Sequence, residues 1–160
     1  MEKLFVILVE DQPEVLRAIA SDLREFEDDF IIEECQSAAE AWDVMKRAEE
    51  RGGYVVLIVS DHVMPNQTGV EFLTRVHLDG RFRHTRKILL TGLATHQDTI
   101  RAINQAAIDQ YIEKPWKRDD LVAKARRLIT EYILENGFDY QSYQGVLDSA
   151  VLLQRMRNNP

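Results

Sequence analysis

A single cysteine, Cys35, excludes an intrachain disulfide and leaves no cysteine cluster for a structural zinc. Cys35 follows an apolar run, where a thiol acts as a small buried hydrophobe. Glycine-rich nucleotide motifs are missing too: there is no P-loop and no GxGxxG. Long hydrophobic runs are absent. The first, Leu4 to Val9, is far too short to span a membrane and has no signal-peptide cleavage pattern after it. A cytoplasmic protein without membrane contact is therefore expected. A basic excess is also lacking. The 20 Lys and Arg face 27 Asp and Glu, for a net charge of −7, which argues against a nucleic-acid surface. No internal repeat or low-complexity stretch appears.

What remains is an ordinary globular composition, 45% hydrophobic and 29% charged. The 160 residues suit one domain with an appendage. Strand-length apolar runs recur at Leu4–Val9, Phe30–Ile32, Tyr54–Val59, Ile88–Leu90 and Tyr111–Ile112. Helical spacing separates them. Val15, Leu16, Ile19, Leu23 and Phe26 share one face, with Pro13 suited to a first helical turn. Ala38–Glu50 is a second helix, with Ala41, Trp42 and Met45 inward. Gly69–Leu78 is a third, through Val70, Leu73 and Val76. Thr95–Ala107 is a fourth, through Ile100, Ile103 and Ala107. Arg118–Asn136 is the longest, with Asp119 and Asp120 in the dipole-favoured first turn and Gly137 as a stop. Alternating strands and helices predict an α/β fold: a doubly wound, flavodoxin-like (βα)5 sandwich around a parallel five-stranded sheet of order 2-1-3-4-5.

In such folds ligands bind at the carboxyl ends of the strands. The first strand ends in Glu10-Asp11 and the third in Asp61. That topology makes these strands neighbours, so three carboxylates converge. They repel one another unless a cation is present, and a hard divalent ion such as Mg²⁺ is the natural neutraliser. The fourth strand ends in Thr91-Gly92 and the fifth in Glu113-Lys114-Pro115, adding a hydroxyl and an ammonium. A carboxylate in such a site can accept a phosphoryl group, with catalysis coming from positioning and charge.

Four segments carry a family resemblance: Leu8-Val9-Glu10-Asp11-Gln12-Pro13, Ser60-Asp61-His62-Val63-Met64-Pro65 with Gly69, Leu90-Thr91-Gly92, and Tyr111-Ile112-Glu113-Lys114-Pro115-Trp116. Over about residues 3–134 the chain resembles a response-regulator receiver domain of two-component signal transduction. The resemblance implies that Asp61 is the phosphoacceptor. It implies Mg²⁺, with Mn²⁺ as the alternative ion, on Asp11, Asp61 and the Val63 backbone carbonyl, with Glu10 assisting through water. Lys114 pairs with the phosphoryl group, Thr91 hydrogen-bonds it, and Tyr111 is the aromatic switch residue that follows Thr91. A cis peptide bond is expected before Pro115. The implied partners are a sensor histidine kinase or phosphotransfer protein and an unidentified output partner or fused domain, with a homodimer left open. The implied protein is a switch, not an enzyme beyond its own phosphorylation and dephosphorylation.

Some positions depart from the common pattern. The acidic pair is Glu-Asp rather than Asp-Asp. Val63 is apolar and does not help to position an attacking water, which bears on phosphoryl lifetime. Lys117 stands where many relatives carry an Asp or Ser cap. The segments around Thr91 and Lys114 are similar to receivers fused to enhancer-binding or cyclic-dinucleotide-hydrolysing domains. A haloacid-dehalogenase-like phosphatase is disfavoured, because it needs a second acid at the place of Val63 and a nucleophile after the first strand. The intact acids, Thr91 and Lys114 also speak against a phosphorylation-independent pseudo-receiver.

Alone, each residue has a plainer reading. Asp61 would be a loop acid, Glu10-Asp11 a helix cap, Thr91 a strand-end residue, Lys114 a surface lysine and Tyr111 a sheet residue. His62 reads as an exposed loop residue. Arg81, Arg83, Arg86 and Lys87 read as a solvated basic turn, with partner docking as the alternative. A domain is expected over 1–136 and a partly helical tail or linker over 137–160. In that tail Val146–Met156 forms a short amphipathic helix: a dimer helix, a linker to a missing output domain, or a segment packed on the domain.

Overall fold

The computed structural model describes residues 2–92, 100–101 and 104–158. Five strands, β1 (Leu4–Val9), β2 (Ile31–Cys35), β3 (Tyr54–Asp61), β4 (Arg86–Thr91) and β5 (Gln110–Glu113), form one parallel sheet. Their order is 2-1-3-4-5. Helices α1 (Pro13–Asp22), α2 (Ala38–Glu50), α3 (Gly69–Leu78), α4 (Arg118–Glu135) and α5 (Ser149–Asn158) accompany them. The expected helix over 95–107 falls largely outside the described residues, Ile103 included. Residues 104–106 are helical; Ala106 is buried, but Ile100 is exposed rather than inward.

Both sheet faces are covered, so strand residues of either parity are apolar. Leu4, Val6 and Leu8 of β1 join Leu57 and Val59 against α1 and α4. Ile7 and Val9 join Ile58 and Leu89 against α2 and α3. The helix starts follow local chemistry. Ser37 Oγ accepts from Glu40 N at 3.1 Å, and Thr68 and Glu71 form a reciprocal capping box.

Two elements end elsewhere than their apolar spacing implies. α1 stops at Asp22, and Phe26 is buried from a short 3-10 turn, Arg24–Phe26. β2 runs on through Glu33 and Glu34 to Cys35, which pairs with Val9. It is an edge strand, so its acidic side chains need not enter the core. Cys35 is buried, and burial pushes its thiol up to about 12.

The basic run is a solvated turn at Arg81 and Arg83, which are exposed, but not at Arg86 and Lys87. Arg86 and Lys87 are the first residues of β4. Arg86 pairs with Asp109, Glu131 and Glu135. Lys87 is 2% exposed, and its Nζ donates to Thr85 O at 3.0 Å. Arg81 is exposed and forks onto Asp79. The strand begins earlier than its apolar stretch, so these charges are carried inward and must be paired.

The tail folds back onto the same core. Gly137, at φ +73, turns the chain out of α4. Phe138 stacks on Tyr132 and meets Tyr54 edge-on. Tyr143 is 2% exposed, stacks on Phe30 and donates to Glu2 Oε2 at 3.0 Å. Val146 and Leu147 are buried in this cluster, so the final helix starts at Ser149 rather than Val146.

Tyr143→Ala should lower unfolding free energy by about 3 kcal/mol, the cost of deleting a buried aromatic; a urea titration measures it, and an unchanged midpoint would contradict the packing role. Lys87 gives a pH prediction. Burial holds its amine below the usual range, partly offset by Asp109. The unfolded chain therefore binds the proton more tightly. Stability from this group rises as pH climbs from the depressed folded value toward 10.5. The stability of the parent protein minus that of Lys87→Met should increase over that window in pH-resolved thermal melts.

Candidate functional site

The carboxyl ends of β1, β3, β4 and β5 meet at one edge. Asp61 is the last residue of β3 and is 6% exposed. Glu10 follows β1 at 1% exposed, and its N–H donates to Cys35 O at 3.0 Å. Asp11, next along the chain, is half-buried. One oxygen from each of Glu10, Asp11 and Asp61 lies within 4.8 Å of the others. Asp11 does not cap α1, whose N-cap is Gln12.

Lys114 closes this group. Its Nζ lies 2.8 Å from Asp61 Oδ1 and 3.0 Å from Glu10 Oε2. Burial alone would pull the ammonium down; its hydrogen bonds to Asp61 and Glu10 outweigh that and hold it above the usual lysine value. Burial raises the Glu10 carboxyl, and the charge of Asp61 adds to it. The hydrogen bonds from Lys114 and from Gln12 N oppose both.

The backbone places Lys114 there. Its N–H donates to Thr91 O at 2.9 Å, continuing the β4–β5 ladder, and the Lys114–Pro115 bond is cis as expected. Beyond it, Trp116 Nε1 donates to Asp22 Oδ2 at 2.8 Å, tying this loop to the end of α1. Lys117 is the N-cap of α4 and makes no side-chain cap. Thr91 is 3% exposed at the end of β4. It pairs with Glu113, while Tyr111 pairs with Leu89. Registered partners share a sheet face, so Thr91 and the half-buried Tyr111 lie diagonally on one face.

The loop after Asp61 is clamped at both ends. His62 N donates to Leu90 O at 3.1 Å, and Gly69 N donates to His62 O at 2.8 Å. A Cβ at residue 69 would sit 2.1 Å from Asp61 O, so only glycine lets α3 start against the acidic residue's backbone. Ser60 Oγ donates to the same carbonyl at 2.9 Å. This clamp corrects the reading of His62. It is half-buried, and its Nδ1 is buried without a hydrogen-bond partner among the described residues. Val63 is 61% exposed at the mouth, whereas Met64 plugs the core.

The site thus brings together Glu10, Asp11, Asp61 and Lys114, with Thr91 at the same strand edge and Tyr111 behind it. Sequence reasoning missed the Ser60 contact and the Trp116–Asp22 tie. Both residues stood inside quoted motifs, but no spacing rule assigns them a partner. The three carboxylates fit a hard divalent ion with oxygen ligands, and the ammonium beside them suits an anionic group.

Comparison with known proteins gives the family. The family model for the response regulator receiver domain matches residues 6–126. The chain is 30% identical over 128 residues to the response regulator Rre1 of Synechocystis, covering 80% of this chain and 52% of that protein. It is 30% identical over 155 residues to the hydrogenase transcriptional regulatory protein HoxA of Bradyrhizobium diazoefficiens, covering 94% of this chain and 30% of that protein. The chain therefore spans about half of the first relative and under a third of the second. Among solved structures, a CheY-like receiver domain protein from Methanospirillum hungatei superposes with a TM-score of 0.70 at 25% identity, over 84% of this chain and 99% of that one. The signal receiver domain of an HD domain-containing protein from Pseudomonas fluorescens shares the fold, with a TM-score of 0.70 at 24% identity over 82% of this chain and 98% of that one.

Metal binding should weaken on acidification. A carboxyl must lose its proton to serve a cation, and burial holds Glu10 above its usual 4.5. Mg²⁺ affinity, read by isothermal titration calorimetry, should fall as pH drops through the raised Glu10 range. Glu10→Gln should shift that fall to lower pH.

Proposed function

The chain belongs to the response regulator receiver family of two-component systems, and from that premise we propose that Asp61 accepts a phosphoryl group from a phosphohistidine donor. Receiver domains are signalling switches rather than classical enzymes. The observation that carries the assignment is the convergence of three carboxylates with Lys114 held between two of them.

In the proposed transfer an Asp61 carboxylate oxygen attacks phosphorus. The phosphorus–nitrogen bond of the donor breaks, and its electron pair returns to the imidazole, which takes up a proton. A Mg²⁺ ion on Asp11, Asp61 and the Val63 carbonyl, with Glu10 reached through water, would supply positive charge at the phosphoryl oxygens. Lys114 exchanges its bond to Asp61 for one to a phosphoryl oxygen and keeps Glu10 as its anchor. Thr91 donates its hydroxyl to the new group, and Tyr111 moves behind it on the same sheet face. Val63 offers no polar atom from its side chain to orient a hydrolytic water, which favours a long-lived acyl phosphate.

The new charge shifts a two-state equilibrium, and the domain's binding surface changes with it. The donor is a sensor histidine kinase or phosphotransfer protein. Relatives such as HoxA extend well beyond the matched region, so the output is either a fused domain or a separate partner. Among the described residues no helix is long and apolar enough to cross a membrane, in keeping with a cytoplasmic switch. The receiver unit proper is 1–136, with 137–148 as a segment packed onto it.

Incubation with acetyl phosphate and Mg²⁺ should add about one phosphoryl group, roughly 80 Da, in an intact-mass spectrum. The gain should vanish without Mg²⁺ and in Asp61→Asn. Labelling that persists in Asp61→Asn refutes the assignment.

A further inference from the structure

Arg86 opens the strand that Thr91 closes. Its guanidinium lies 3.3 Å from Asp109, 3.5 Å from Glu131 and in close contact with Glu135. Asp109 in turn accepts from Lys87 N at 2.7 Å and donates its own N–H to Lys87 O at 3.0 Å. Thr85 Oγ1 donates to Val55 O at 2.7 Å. The entry of β4 is thereby tied to β3, to the entry of β5 and to α4.

The final helix is seated on the same stretch of α4. Asp148 N donates to Thr130 Oγ1 at 2.8 Å, and Asp148 Oδ1 caps Ala150 and Val151. Arg126 donates to Val146 O at 2.9 Å, and Arg155 reaches Leu134 O at 3.5 Å. The crevice between α4 and α5 is lined by Glu131, Leu134, Glu135, Val151, Gln154 and Arg155. Glu131 and Glu135 therefore face Arg86 on one side and α5 on the other. No residue of α5 is fully buried, and Leu153 and Met156 are about half exposed. A helix held by so little apolar contact has a low local opening energy, so a small change beneath it can alter its seat.

We propose that α5 is the element through which this domain reports its state: a displacement of β4 is passed by Arg86 to Glu131 and Glu135, and changes how α5 is held on α4. This rests on the reading of Asp61 as the acceptor, because the displacement begins when Thr91 engages the phosphoryl group. β4 is six residues long and paired on both sides, so in this proposal a shift at its Thr91 end is carried along the strand towards Arg86. Ion pairs in a partly buried cluster are sensitive to such shifts, since their energy scales inversely with distance and local dielectric. The face released or reoriented would carry Leu153 and Met156 beside Arg157.

Beryllium fluoride with Mg²⁺, which mimics an acyl phosphate, provides the test on the full chain. Native mass spectra report whether the mimic binds, and hydrogen–deuterium exchange reports the amides of 149–158. The mimic should change their exchange rate by about threefold or more. Arg86→Ala should still bind the mimic yet show the same α5 exchange with and without it. Should Arg86→Ala fail to fold, Glu135→Gln makes the same comparison. Binding without any α5 response, or a response that survives loss of the Arg86 cluster, overturns the proposal. A protein that does not bind the mimic overturns the acceptor reading, and this proposal with it.

Discussion

The structure at the sheet edge depends on one electrostatic constraint. Glu10 and Asp61 are both nearly buried, with Asp11 close by. Carboxylates so placed cannot all stay ionised without a compensating cation. Lys114 supplies one positive charge by direct contact with two of them. Its position is not a side-chain accident: the Lys114 N–H is held by Thr91 O, so the β4–β5 register sets the ammonium's reach. Three carboxylates against one ammonium still leave net negative charge. That surplus suits a divalent cation.

The backbone around the acids serves this constraint. Gly69 allows α3 to begin against the Asp61 carbonyl, and the His62 peptide is gripped by Leu90 O and Gly69 N. Asp61 therefore ends a strand whose exit direction is fixed. The ammonium is steadied from outside by the Trp116–Asp22 hydrogen bond, which links the loop after Pro115 to α1. Preorganisation of this kind holds charged groups in place without reorganisation when a ligand arrives.

Much of this was legible in the sequence because buried parallel strands leave continuous apolar runs, and the residues that end those runs stand at the carboxyl edge of the sheet. Glu10, Asp11, Asp61, Thr91 and Lys114 could be read off directly once the 2-1-3-4-5 order was assumed. The run rule failed where charge is paired inside the fold. Arg86 and Lys87 looked like a turn because their partners, Asp109, Glu131, Glu135 and the Thr85 carbonyl, lie up to about fifty residues away or in the backbone. His62 was misplaced for a similar reason, since its burial comes from a backbone clamp that side-chain pattern cannot encode. The β2 boundary was missed because an edge strand tolerates Glu33 and Glu34, which read as loop.

The tail shows where pattern reading gives out and packing takes over. Phe138 and Tyr143 follow neither helical nor strand periodicity, and Val146 and Leu147 precede the helix they were read into, yet all four add to the core formed by Leu4, Phe26, Phe30 and Tyr132. Tyr143 reaches back to Glu2, so the segment after α4 is joined to the residues that lead into β1 at the base of the sheet. The base is thus polar-anchored and aromatic-filled, while the opposite edge holds unbalanced charge. Strand β4 spans both regions: Thr91 sits at the loaded edge and Arg86 in the anchored base. That placement puts β4 on a route from the acidic site to the residues of α4 that face the C-terminal helix.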